Sequence, residues 1–417
     1  MRTARRHTIA AALAGLVLLS LATAAPNVQF LDERNVGDTH LYSLYGENVR
    51  DGSVPYDDFY MEYPPGAIPV FVAPTVGAEE QYASNSKWIQ WLLAAGCVVL
   101  VALAVSSAGR TASGVYLATA AVAVAPVALG RVTFTRFDFW PAALTGLALA
   151  LLARRRHRLG GGALAVATAA KIYPVVLLPL AIAFAWREGG RRKARDVLMV
   201  YALVLVGIVL PFAALGAGGI AHSLLEQLRR PLQIESLGSS ILLAAGQLDL
   251  YEPTVVTSHG SQNLAGNLPA ALALLAALGG LLLLGATWLA FARGPGAPAD
   301  LLAAAATAVV VFVVLGKVLS PQYLIWLIPL VPLVGGRRGC AAAGLLLLAL
   351  AVTQVWAQGR FGEVVALEPV VWLVLLRNLV LVAVLVLLLQ VLRRRREEDE
   401  EAAGRGALVA ARAEQRS

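Results

Sequence analysis

Apolar residues run along this chain in long unbroken blocks, set apart by short polar clusters. Neither strand alternation nor a single amphipathic helical face describes them, and the blocks predict bilayer-length helices. The blocks are Thr8–Ala25, Trp88–Ser107, Ser113–Gly130, Phe139–Ala153, Val197–Gly216, Leu268–Ala292, Cys340–Trp356 and Val370–Leu392. Arg2, Arg5 and Arg6 ahead of the first block fit a signal peptide with an Ala-rich exit or an uncleaved first helix, and the length of the run favours the helix. Gly66–Val76 is apolar but too short to cross roughly 30 Å at about 1.5 Å per residue, so it is expected at the interface or as a re-entrant piece.

Two segments depart from this pattern. Gly161–Trp186 and Asp300–Gly336 each lie between basic clusters, yet each is too short for two full spans. Both are expected to be hairpins of half-length helices. The first turns at Lys171-Ile-Tyr173-Pro174 and the second at Lys317, followed by Ser320-Pro321-Gln322-Tyr323. The expected fold is an all-α polytopic membrane protein of about twelve spans with a large first external loop. Residues 1–392 form the membrane-embedded domain, and 393–417 a charged, disordered tail.

Composition agrees. The chain is 58% hydrophobic and 14% charged, with mean hydropathy +0.70, and lacks the polar surface a soluble globule of 417 residues needs. Net charge +8 and a pI of about 9.7 do not point to nucleic acid. Twenty of the 34 Lys and Arg fall in clusters on one side of the expected topology: Arg2, Arg5, Arg6, Arg110, 154–158, 187–195, Arg293, Arg337, Arg338 and 393–396. That is the positive-inside pattern, and it puts both termini in the cytoplasm and the first loop outside a plasma membrane. Cys97 and Cys340 lie in separate expected helices and imply neither a disulfide nor a metal site.

The candidate chemistry lies outside. From Asn27 to Ser86 there are ten carboxylates against two arginines, interleaved with Tyr42, Tyr45, Tyr56, Tyr60 and Tyr63. Loops this long are functional or disordered, and the bland alternative is a solvated cap. A lysine near a membrane interior marks a functional site unless it snorkels to the interface, so Lys171 and Lys317 join the candidates. The second long external segment adds His222, Arg229, Arg230 and Glu235, and Arg377 and Asn378 sit inside the last apolar block. Cations at a membrane boundary suit a lipid phosphate, tyrosine rings suit sugar faces, and a carboxylate above them suits proton removal from a hydroxyl. Asp57-Asp58, with no histidine nearby, is a weak metal signal, so no metal or other cofactor is expected. Paired broken hairpins also fit a secondary transporter or lipid flippase.

Asp38-Thr-His-Leu-Tyr42, Gly52-Ser-Val-Pro-Tyr56 and Tyr63-Pro64-Pro65 resemble the first external loop of family 87 glycosyltransferases in the GT-C superfamily. Ala167-Thr-Ala-Ala-Lys171-Ile-Tyr-Pro174, Arg230-Pro-Leu-Gln-Ile-Glu235-Ser236 and Ser320-Pro321-Gln322-Tyr323-Leu-Ile-Trp326 are similar too. The resemblance implies a GT-C-like bundle that takes a hexose, mannose in the best-known branch, from a polyprenyl-phosphate donor. The acceptor would be an envelope glycolipid or glycan, transfer would be inverting, and Asp38 would be the general base, with Asp57 and Asp58 as competitors. Lys171, Lys317, Arg229 and Arg230 are then candidates for the donor phosphate. Tyr42, Tyr56, Asp57, Asp58, Tyr63, His222, Glu235, Gln322 and Tyr323 are candidates for sugar or acceptor.

Overall fold

The computed structural model describes residues 2–32 and 37–414. Part of the acidic stretch, Glu33 to Val36, and the tail end, 415–417, lie outside the described residues. The first apolar block forms α1 (Arg2–Thr23), and the polar loop then folds as α2 (Thr39–Arg50) and α3 (Ile68–Val72), the latter inside an apolar run from Pro65 to Thr75. The chain continues as α4 (Tyr82–Ser107), α5 (Ala112–Leu129), the short α6 (Val132–Thr135), α7 (Phe139–Ala153) and α8 (His157–Ala170). α8 stops where Lys171 takes an extended conformation ahead of Pro174, which has no amide to continue the helical ladder. A 3-10 turn, Tyr173–Leu177, leads into α9 (Leu178–Arg229). Gly189 and Gly190 break α9 at the basic cluster, so its first stretch closes the first hairpin and its second is a separate leg.

The segment after α9 was expected only as a long external loop. It holds β1 (Leu232–Gln233), α10 (Leu237–Gln247), β2 (Thr254–Ser258) and β3 (Ser261–Ala265), with the strands paired antiparallel in the order β1-β3-β2. Then come α11 (Asn267–Arg293), α12 (Pro298–Val314), α13 (Tyr323–Leu327), α14 (Gly336–Ala357), α15 (Phe361–Val365) and α16 (Val371–Glu414). α12 is the central pillar of the bundle. From Leu301 to Val314 all of its residues but Phe312 are buried, against α16, α11 and the first hairpin. A helix apolar on every side is stable only when enclosed.

The chain is thus an all-α polytopic membrane protein. Seven helices among the described residues are long and apolar enough to cross a bilayer. The expected number of about twelve also counted short helices such as Phe139–Ala153, Pro298–Val314 and Tyr323–Leu333 as passes, and by length these fall short.

Helix direction sorts the charges. α7 ends at Arg154 and α8 begins beside it. Arg155 and Arg158 pair there with Glu188 and Asp196, and Arg395 pairs with Asp300 at the start of α12. The other ends of α7, α8 and α12 converge with the polar loop. That loop is pressed onto the bundle at glycines: a Cβ at Gly66 would lie 2.5 Å from the Ala169 carbonyl carbon, and one at Gly219 would lie 1.9 Å from the Tyr56 carbonyl oxygen. Gly66→Ala is expected to cost about 1–3 kcal/mol through overpacking, whereas Gly96→Ala, with open space around it, costs nothing. Thermal unfolding of the two variants side by side in detergent checks this.

Candidate active site

Asp38 stands at the N-terminus of α2, where an aspartate ordinarily caps the helix, yet its side chain makes no capping bond. It pairs instead with Arg136, from the turn between α6 and α7, and Tyr42 Oη lies 3.4 Å from its Oδ2. Tyr42 is buried, stacked on Phe71 at 4.9 Å and edge-on to Tyr63 at 5.9 Å. Phe137 closes the cluster, 5.5 Å from Tyr42 and 4.8 Å from Tyr63. Burial pushes the Tyr42 and Tyr63 hydroxyls well above the usual phenol range, so both stay protonated and donate.

Two residues beyond Arg136, Asp138 is fully buried. Its Oδ1 accepts from Lys171 Nζ at 2.6 Å and from Trp326 Nε1 at 2.6 Å. Lys171 Nζ also lies 4.5 Å from the Phe137 ring, 5.2 Å from Trp326, and 5.6 Å from both Tyr63 and Tyr323. Trp326 is sandwiched between Tyr173 at 4.2 Å and Tyr323 at 4.1 Å. Both hairpins and the first loop therefore meet around one carboxylate. Ring faces and a charged hydrogen bond thus surround the Lys171 ammonium and replace the water it has left.

A third pair ties the second long segment to the first. Arg230 donates to Glu62 at 2.8 Å and to the His259 carbonyl at 3.0 Å, while Gln227 reaches Glu62 at 3.1 Å. Nearby, Gln233 bridges Glu235 at 2.7 Å and Ser320 at 2.9 Å, and its amide N–H donates to the Lys317 carbonyl. Lys317 Nζ donates to the Leu228 carbonyl at 2.6 Å, and among the described residues no carboxylate pairs with it. Burial lowers its ammonium below the ordinary lysine range. Glu235 is buried, and its carbonyl accepts from Arg377 at 2.7 Å and Asn378 at 3.2 Å. Burial, countered in part by Arg377 and Arg136, pushes the Glu235 carboxyl up to about 7.

Of the sequence candidates, Asp38, Tyr42, Tyr63, Lys171, Arg230, Glu235, Lys317 and Tyr323 belong to this cluster. Gln322 is half-buried at the start of α13, beside Tyr323. Tyr56 is buried with positive φ and donates to the Tyr63 carbonyl, so its ring shapes the loop. Asp57 and Asp58 are exposed, and Asp58 accepts from the Val54 amide in a local turn. Arg229 is exposed at the end of α9, and His222 is exposed with its ring 5.7 Å from Tyr60. Sequence reasoning did not single out Arg136, Asp138, Trp326 or Glu62. A signal existed for the first two: Arg136-Phe137-Asp138 places both signs of charge in a very short connection between apolar blocks.

The fold and this cluster define an integral membrane protein whose chemistry sits at one end of a helical bundle, among paired charges and stacked rings. The chain matches the family model of glycosyltransferase family 87 over residues 60–321, more than half its length, and belongs to that family. It is a glycosyltransferase. The matched region contains Asp138, Lys171, Arg230, Glu235 and Lys317 and begins after Asp38. No curated protein matches the chain.

Asp138→Ala strands the buried Lys171 ammonium and is expected to destabilise the protein by about 3–5 kcal/mol. Asp138→Ala with Lys171→Met should recover much of that loss, and unfolding of the single and double variants in detergent measures it. Glu235 carries a pH signature. Below its ordinary value near 4.5 the carboxyl is protonated in both folded and unfolded chains. Above that pH only the unfolded chain releases the proton until about 7, so stability falls as pH rises through this window. Glu235→Gln should remove a loss of up to about 3 kcal/mol, seen as a flatter dependence of the unfolding midpoint on pH.

Proposed function

We propose that this glycosyltransferase moves a hexose, mannose in the first instance, from a polyprenyl-phosphate donor to a hydroxyl of an envelope glycolipid or glycan. Transfer takes place at the external face of the plasma membrane, with inversion. The observation that carries the reading is the graded exposure of the carboxylates around the cluster. The Asp38 side chain is 35% exposed, against 22% for Glu62, 0% for Asp138 and 3% for the Glu235 residue. A general base must come within hydrogen-bond reach of the hydroxyl it deprotonates, and Asp38 is the most open of the four.

In this mechanism the acceptor hydroxyl attacks the anomeric carbon while Asp38 takes its proton, and the electron pair of the breaking bond leaves on the lipid phosphate. Lys317 and Arg229 are the cations nearest to an accessible position, since Lys317 holds only a carbonyl and Arg229 is exposed, and Arg230, paired with Glu62, stands beside Arg229. Lys171 is engaged by Asp138 and acts on the phosphate through its field. Tyr323, backed on one side by the buried Trp326, and Tyr63 across from it offer the apolar faces for a sugar ring. The external placement is supported by the basic clusters gathering at the far ends of α7, α8 and α12.

The two hairpins also suggested a transporter, but membership of a glycosyltransferase family favours the enzyme. Reconstituted vesicles given a polyprenyl-phosphate hexose and a glycolipid acceptor should form a glycoside. Movement of donor across the bilayer with no covalent product would reinstate transport. Asp38→Asn is expected to lower turnover by about 10²–10⁴-fold with the protein still monodisperse; full activity in that variant would remove Asp38 from the mechanism.

A further inference from the structure

Asp38 is paired with Arg136, so an acceptor hydroxyl must compete with a guanidinium for the carboxylate. Following the charge through the proposed transfer resolves the difficulty. The acceptor O–H bond breaks and its proton goes to Asp38. A bond forms from the acceptor oxygen to the anomeric carbon, the bond from that carbon to the phosphate oxygen breaks, and its electron pair stays on the phosphate. One negative charge disappears from Asp38 and one appears on the leaving group. A cation serving Asp38 alone would oppose this movement. A cation within reach of both would remain in place while the charge passes from one side of it to the other.

We infer that Arg136 is that shared cation: it neutralises Asp38 while the site is empty, turns its guanidinium toward the donor phosphate on binding, and so frees Asp38 to act. This inference rests on the donor and base assigned above. Three observations support it. The Arg136 side chain is 20% exposed, so part of it borders the open side of the cluster. The backbone at Gly37 leaves it room: φ there is +65°, and a Cβ would lie 3.0 Å from Arg136 Nη2. Of the other cations paired with carboxylates in the cluster, Lys171 is held by the buried Asp138 and Arg230 by both Glu62 and a carbonyl. A guanidinium also has several donors in a planar fork, so it can bridge a carboxylate and a phosphate in one geometry.

The test is binding of a non-transferable phosphonate analogue of the polyprenyl-phosphate sugar to the full-length protein in detergent. If Asp38 competes with the donor for Arg136, Asp38→Asn should tighten binding by about 5-fold, the scale of an exposed ion pair. Arg136→Gln should weaken it, Arg136→Lys should restore part of the loss, and the gain from Asp38→Asn should vanish in the Asp38→Asn, Arg136→Gln double variant. Asp38→Asn is close to isosteric and keeps Arg136, so its result stands even if an Arg136 variant folds poorly. Unchanged or weaker binding by Asp38→Asn, or a gain that persists without Arg136, overturns the shared cation alone. A wild type that makes glycoside from another donor and does not bind the analogue overturns the donor reading, and this inference with it.

Discussion

The site depends on one buried contact, the carboxylate of Asp138 holding both Lys171 and Trp326. Each partner comes from a different hairpin, and Asp138 itself comes from the turn leading into α7. Neither charge is tolerable alone at this depth, because desolvation of an unpaired ion costs more than any nearby packing returns. The three segments are therefore held together by mutual need. Once they are, Tyr173, Trp326 and Tyr323 are obliged to stack, and the hairpin apices come to lie beside the same aromatic wall.

The first loop joins by a different force. It carries few long aliphatic side chains, and its adhesion comes from Tyr42, Tyr45, Tyr63 and Phe71, which pack with Phe137 of the bundle. At Gly66 and Gly219 backbone meets backbone with no space for a Cβ. Ion pairs then set the register: Asp38 to Arg136 at one end, Glu62 to Arg230 at the other. The acidic composition of this loop conceals two populations. Asp51, Asp57, Asp58, Glu79 and Glu80 are exposed and solvated, while Asp38 and Glu62 are partnered and face the cluster. The solvated-cap reading and the functional reading each describe part of the loop.

Much of this was legible in the sequence, for reasons that particular residues make plain. Lys171 and Lys317 announced themselves because a charge inside an apolar block has few structural uses, and short blocks between basic clusters can only be hairpins. Asp138 stayed hidden for the complementary reason: a charged residue in a connecting turn looks like ordinary loop polarity, and only its neighbours in space reveal that it is buried. Trp326 was hidden by its setting, since an aromatic residue in an apolar run is most often core. The three-stranded sheet escaped notice because β1 is two residues long and β2 and β3 are too short to establish an alternation. Helix length alone yields fewer spans than the apolar blocks do, because hydrophobicity reports burial as well as the medium. α12 is enclosed by protein along its length, and α13 runs into a 3-10 turn instead of completing a pass.

Charge balance bears on how a carboxylate-rich loop could receive the anionic donor proposed for it. Asp38, Asp138 and Glu62 are matched by Arg136, Lys171 and Arg230, so the paired part of the cluster is neutral. Glu235, its carboxyl pushed up to about 7 by burial, contributes little charge below neutrality. What remains is Lys317, Arg229 and the buried Arg377 against the single carboxylate of Glu226, an excess of positive charge. The local field is therefore positive even though the loop above it is acidic. With an effective dielectric well below that of water, a positive field of this kind attracts a phosphate and favours the further charge that develops on it as the sugar leaves. The exposed carboxylates, screened by solvent, weaken this little, because they lie on the water side of the ion pairs. The loop can thus be rich in acid where it meets water and still leave a net positive surface where it meets the bundle, and that sidedness would let one site hold the proposed base and an anionic leaving group together.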